Sequence, residues 1–192
     1  MKKNGFTLIE LLVVISIIGF MAVFAMVSLK SARDKTRAAR MAADFSAMRN
    51  AWALWQSDTG SAFVYENTYG NTNSEATCHD EPVLSDTDLF TNVSGTNGWK
   101  GPYLGSAPRD PFGRQYSYDN DNDIWTFSNK WGGVNIQVQW CNSTEGNRYL
   151  QLAPEIDRIY DSGDGPDSGR FRWDNAASQG GYGIIVARSS TQ

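Results

Sequence analysis

The sequence predicts an α+β fold, in which one long N-terminal helix carries a small antiparallel β-sheet head. Three observations lead there. Residues 11–29 form an apolar run with no charge and no proline, and roughly 20 such residues suffice to cross a bilayer core. From Lys30 to Gln56 the chain continues without Gly or Pro, and Met41, Phe45, Met48, Trp52 and Trp55 recur at alternating spacings of four and three, which is one face of a helix. Further on, Val134, Ile136, Val138 and Trp140 alternate with Asn135, Gln137 and Gln139, the period of a strand.

The helix elements follow in order. The apolar run has no proline, and the segment that follows Leu29 has neither Gly nor Pro and is rich in Ala, Arg, Lys and Met, which are good helix formers, so together they predict one continuous helix from Phe6 to about Gln56. The stripe supplies the face on which a head domain packs. Ser57-Asp58-Thr59-Gly60 ends the helix, with Gly60 suited to a left-handed cap. Residues 6–29 are thus expected to be transmembrane, 30–59 an amphipathic continuation, and 60–192 the head. Residues 66–98 are poor in apolar side chains and rich in Asn, Thr, Ser and Gly, and so predict a long loop.

The head supplies the strands. Val134–Trp140 is expected to pair with Ile124–Phe127 through Lys130-Trp131-Gly132-Gly133. Shorter strands are expected at Tyr116–Tyr118, Phe171–Trp173 and Ile184–Val186, with one or two helical turns at Glu155–Tyr160.

The leader is the most specific signal. Lys2-Lys3-Asn4-Gly5-Phe6-Thr7-Leu8-Ile9-Glu10 sets basic residues, a Gly-Phe junction and one carboxylate ahead of the apolar run. A secretory signal places its cleavage site after the apolar core, whereas the junction here precedes it. A charge inside a hydrocarbon-facing helix costs on the order of 2.5–3.5 kcal/mol, so Glu10 implies a function and a partner. This pattern resembles the class III signal of type IV pilins and type II secretion pseudopilins. The resemblance implies removal of residues 1–5 by a prepilin peptidase cutting between Gly5 and Phe6, N-methylation of Phe6, and assembly into a helical filament. It also implies that Glu10 pairs with the amine of Phe6 on a neighbouring subunit. A second stretch narrows the likeness: Trp99-Lys100-Gly101-Pro102-Tyr103-Leu104, then Asp110-Pro111-Phe112-Gly113, resembles a segment of major pseudopilins and has a structural role as a pair of turns. One departure is Val27, which stands where many of these proteins have a helix-kinking proline.

The implied partners are other copies of the chain, the peptidase, an assembly platform with its motor, and membrane lipid before assembly. Charge bears on orientation. Lys30, Arg33, Lys35, Arg37, Arg40 and Arg49 face only Asp34 and Asp44 over residues 30–49, and this cluster competes with Lys2 and Lys3 for the cytoplasmic side. Charge alone leaves that competition open, and the head is expected outside the cytoplasm because the processing signal implies a cytoplasmic leader and because Cys78 and Cys141 are expected to be oxidised. There it is expected first on a single-pass membrane protein and then on a periplasmic or cell-surface filament.

Cys78 and Cys141, the two cysteines of a chain with an export signal, most simply form one disulfide. Two acidic loops raise calcium as a cofactor. The first is Asp119, Asp121 and Asp123, which begins like an EF-hand but has Lys130 where the bidentate Glu would stand. The second is Asp161, Asp164 and Asp167, in a glycine-rich loop with Asp174 beyond; its spacing matches no family motif residue by residue, although major pseudopilins bind calcium in a late loop of similar character.

Enzymatic chemistry finds no support: His79 is the single histidine, and no phosphate-binding glycine loop is present. The alternative function is a membrane-tethered or filament-displayed module binding DNA or a surface ligand. The net charge of −4 argues against nucleic acid, whose phosphates need cationic contacts.

Overall fold

The computed structural model describes residues 6–70, 82–120, 133–174 and 180–187. Contacts divide the chain into two units, residues 1–36 and 37–192. Helix α1, Leu8–Thr59, is unbroken and continues through Val27. It ends as the sequence predicts: Gly60 takes φ 63° and its N–H donates to Gln56 O at 2.9 Å, the left-handed cap that glycine adopts without steric cost.

The head is built on a four-stranded antiparallel sheet in the order β1-β2-β4-β3, with β1 Ser117–Asp119, β2 Val134–Trp140, β3 Phe171–Trp173 and β4 Gly180–Ala187. The expected strands at 171–173 and 184–186 fall on β3 and within β4, and the one expected at 116–118 is displaced by one residue into β1. Ile124–Phe127 lies outside the described residues. In β2 every residue is buried, including Asn135, Gln137 and Gln139, so alternation here marks two covered faces. Between β2 and β3 run two helices, α2 Ser143–Leu150 and α3 Ala153–Tyr160. α3 contains the predicted turns. α2 has no counterpart in the sequence reading, and it starts on an Asn142 cap whose Oδ1 accepts from Thr144 N and Glu145 N, both at 3.1 Å.

The second half of α1 is the spine of the core. Ala38, Met41, Ala42, Phe45, Met48, Ala51, Trp52 and Trp55 are all buried, which is the predicted stripe with small residues added. Phe45 meets the rings of Tyr116, Tyr160 and Phe171 at centroid distances of 5.4, 6.2 and 5.9 Å. Trp52 stacks on Tyr118 at 4.9 Å and meets Trp55 edge-on at 5.5 Å. On the far side, Tyr149 of α2 stacks on Trp140 of β2 at 5.7 Å.

The two proline turns fasten this core. Asp110 is 2 % exposed; its Oδ1 accepts from Phe112 N and Arg114 N, both at 2.8 Å, and its Oδ2 accepts from the Tyr149 hydroxyl. A buried carboxylate is tolerated when its lone pairs are filled in this way. Upstream, Trp99 Nε1 donates to Asp88 O at 2.7 Å, and Lys100 Nζ reaches Asp58 Oδ1 at 3.0 Å near the end of α1. The loop of residues 66–98 is more ordered than its composition suggests where it is described. It forms short 3-10 turns at Glu66–Thr68 and Leu84–Asp86, and it buries Tyr69, Leu84 and Leu89.

Phe45→Ala removes a fully buried ring shared by three aromatic neighbours, and is expected to cost about 3–5 kcal/mol. Leu54→Ala, on the exposed face of the same helix, is expected to stay within about 0.5 kcal/mol. Denaturant unfolding of the full chain in detergent, followed by tryptophan fluorescence, measures both.

Candidate functional site

Within residues 6–36 the decisive feature is apolar surface with nothing over it. Seventeen large apolar side chains between Phe6 and Leu29 are exposed. Burying each is worth about 1.5–3 kcal/mol, so together they represent tens of kcal/mol that water does not supply. The helix is long and apolar enough to cross a membrane, and hydrocarbon or other apolar helices are the media in which such a surface is stable.

The one carboxylate in this surface sits at the start of α1. Glu10 Oε2 accepts from Thr7 N at 2.8 Å and from Thr7 Oγ1 at 2.7 Å, while Glu10 N donates back to Thr7 Oγ1 at 3.3 Å. This is a reciprocal capping box, with Thr7 at the N-cap and Glu10 three residues on. Four N–H groups at a helix start have no partner within the helix, and the box also sets a negative charge at the positive end of the helix dipole. Glu10 is therefore fixed in place by the residue next to Phe6. Sequence reasoning singled out Glu10 and passed over Thr7, although the Thr-x-x-Glu spacing was legible.

In the head, the predicted acidic residues separate. Asp119 belongs to the sheet, where its Oδ2 accepts from Gln137 Nε2 at 3.4 Å and Asn135 Nδ2 at 3.5 Å. Asp121 and Asp123 lie outside the described residues. In the later loop the carboxylates that converge are Asp157, Asp161 and Asp164, with one oxygen from each lying within 4.8 Å of the others. Asp161 and Asp164 were expected; Asp167 is not in the group, and its place is taken by Asp157 from α3. The reason lies in the backbone. Asp161 closes α3 by donating its N–H to Asp157 O at 2.8 Å, and the chain then turns through left-handed Ser162 and Gly163 at φ 72° and 77°. That turn brings the loop back over the last turn of α3. Asp161 Oδ2 then accepts from Arg170 N and from Phe171 N, joining the end of α3 to the start of β3.

Asp157 is the unusual member. It is 2 % exposed; its Oδ2 accepts from Gly165 N at 2.9 Å, and its Oδ1 is buried with no hydrogen-bond partner. Burial pushes its carboxyl above the usual carboxylate range, and the charges of Asp164 and Asp161 add to the shift against the Gly165 hydrogen bond. Gly169 packs so closely that a Cβ there would overlap Asp161 Oδ2 and Asp164 Oδ2. An all-oxygen donor set with one orphaned buried oxygen fits a hard cation such as calcium.

Cys141 follows β2 directly and is not a free thiol. Cys78 lies outside the described residues. His79 does as well.

Comparison with known proteins places these features. Residues 1–26 match the prokaryotic N-terminal methylation motif, and residues 85–130 match type II secretion system protein G. The type II secretion system core protein G of Vibrio cholerae serotype O1 is 30% identical over 125 residues, covering 65% of this chain and 76% of that protein. The core protein G of Pseudomonas aeruginosa is 26% identical over 141 residues, covering 67% of this chain and 97% of that protein. No solved structure matches the chain. The methylation motif coincides with the leader and capped helix start, and the protein G match spans the Trp99 and Asp110 turns that fasten the core, so the chain belongs to the type II secretion system protein G family of pseudopilins, filament subunits whose leader is removed by prepilin peptidase.

Proposed function

We propose that the mature subunit begins at Phe6, carries an N-methyl group there, and enters the filament by pairing its Phe6 amine with Glu10 of a neighbouring copy. The observation that carries this reading is the exposed apolar length of α1 with a capped carboxylate at its start. In a low-dielectric filament core an ammonium and a carboxylate are strongly coupled, and removing one leaves the other uncompensated. Before assembly the same helix holds the subunit in the membrane. The head then stands outside the cytoplasm, with the cluster Lys30 to Arg40 at the outer headgroups. An assembly platform and its motor draw the subunits from this pool into a periplasmic pseudopilus. The head contributes stability, with Cys78 and Cys141 joined as a disulfide that ties residues upstream of the sheet to the end of β2.

Glu10→Gln separates the two roles of this residue, because glutamine serves in a capping box but carries no charge. In cells holding the secretion machinery, Glu10→Gln and Glu10→Ala are both expected to abolish sedimentable filaments while leaving full-length protein in the membrane fraction. Filaments at wild-type yield from Glu10→Gln would rule out the charge pairing. For the disulfide, the oxidised chain is expected to migrate faster than the reduced chain on a denaturing gel. Cys141→Ser is expected to lose that difference and up to about 4 kcal/mol of stability, the entropy of a closed loop of about 60 residues.

A further inference from the structure

We infer that Asn97 and Gly98 form a self-modifying site, at which the folded chain closes a succinimide and converts Asn97 to isoaspartate or aspartate as the subunit ages. The inference is independent of the filament pairing, since it uses only groups of the head. Asn-Gly occurs at Asn4-Gly5 in the leader and at Asn97-Gly98, and only the second remains on a subunit that begins at Phe6. Both Asn97 and Gly98 are exposed and form the tip of a turn, with Gly98 at φ 83°, a backbone angle that glycine takes without steric cost.

The reaction needs a free nucleophile and a free electrophile side by side. The Gly98 N–H gives its proton to solvent base, the nitrogen bonds to Asn97 Cγ, and the side-chain nitrogen takes up a proton and leaves as ammonia. Water then opens the ring. Attack at Cγ yields aspartate, whereas attack at the main-chain carbonyl leaves the chain running through Cγ as isoaspartate, with an added methylene in the backbone. Among the described residues, neither the Gly98 N–H nor the Asn97 side chain makes a hydrogen bond, so no bond has to break before the ring closes. Glycine also puts no Cβ in the path of the attacking nitrogen. Asp164-Gly165 is the contrasting pair: Gly165 N donates to Asp157 Oδ2 at 2.9 Å, and that bond must be lost before the same nitrogen can attack.

The place of the turn gives the change its effect. On one side Asn92 Nδ2 donates to Thr96 O at 3.2 Å, and on the other Trp99 Nε1 donates to Asp88 O at 2.7 Å, so the flanks are fixed while the tip is free. Gly98 packs on the end of α1 so closely that a Cβ there would lie 2.9 Å from Asp58 O, and Lys100 pairs with Asp58 at 3.0 Å. A backbone lengthened between Asn97 and Gly98 must shift either a fixed flank or this contact. Isoaspartate there loosens the Trp99 segment from the helix end.

The full chain in detergent micelles is aged for several days at neutral and at mildly alkaline pH, and position 97 is followed by peptide mass spectrometry and by methylation with an isoaspartyl methyltransferase. The same chain unfolded in urea gives the unprotected rate at each dipeptide. In the folded chain Asn97 is expected to convert at a rate comparable to that in urea, faster at the higher pH, while Asp164 isomerises far below its own urea rate. Asn97→Gln, an exposed change, is expected to show no conversion there. Its unfolding midpoint is expected to hold on ageing, where that of the wild type falls by a few degrees. The site is refuted if Asn97 stays intact in the folded chain while it converts in urea, or if folding slows both dipeptides alike. Equal loss of midpoint in aged wild type and aged Asn97→Gln refutes the effect on the helix end.

Discussion

The head is organised around a single stripe on α1. Met41, Phe45, Met48, Trp52 and Trp55 are each completely buried, and the aromatic residues among them are the points that strands β1 and β3 and helix α3 meet. Aromatic rings contribute large buried areas and an added preference for edge-on or offset contacts, so the positions of these rings fix where the sheet lies on the helix. The stripe also limits what the rest of the helix is free to be. A helix whose polar side faces water over residues 38–55 cannot also bury the apolar surface of residues 8–29, because those side chains run all around the helix. One helix therefore meets two solvents, and only the striped half belongs to the folded head.

Around this spine the polar groups are used sparingly and with a purpose. Asp110 collects three donors at the Asp-Pro-Phe-Gly turn, and Arg114 from the same turn pairs with Glu145 of α2 at 2.6 Å while donating to Gln139 O at 2.9 Å. Burial and the Asp110 charge hold the Tyr149 phenol far above its ordinary pKa, which favours the neutral hydroxyl that donates to Asp110. These contacts join the turn to α2 and β2, which explains why this stretch of sequence is distinctive without bearing chemistry.

Much of this was legible in the sequence, and the exceptions have physical reasons. The leader and the stripe were clear because each rests on short-range spacing, a basic leader with a Gly-Phe junction and a nearby Glu10 in the one and a four-three repeat in the other. β2 was clear for the same reason. Helix α2 was missed because Asn142, Ser143, Thr144 and Gly146 are poor helix formers. It is held by the Asn142 cap, the Glu145 contact back to Cys141 N at 3.2 Å, and Tyr149 against Trp140, of which the last joins the helix to the sheet and is not a local signal. Asp157 was missed because a carboxylate within a helical run resembles an ordinary solvated charge; its burial depends on a loop that returns after the left-handed turn at Ser162 and Gly163. Asp167, from the same acidic, glycine-rich stretch, does not join the three carboxylates that converge, Asp157, Asp161 and Asp164.

The capping box at Thr7 bears on how Glu10 serves in the proposed pairing. A carboxylate has two oxygens and about four acceptor sites. The box draws on Oε2 for both of its contacts with Thr7, so the cap does not exhaust the group. Holding Glu10 by its own helix start also fixes the side chain before a partner arrives, which removes rotamer entropy from the association step. A longer reach from an uncapped glutamate would gain flexibility and lose this advantage. The position of Thr7 beside Phe6 then has a physical sense: in the proposed pairing, the residue following the new amino terminus orients the carboxylate that another copy's amino terminus would meet.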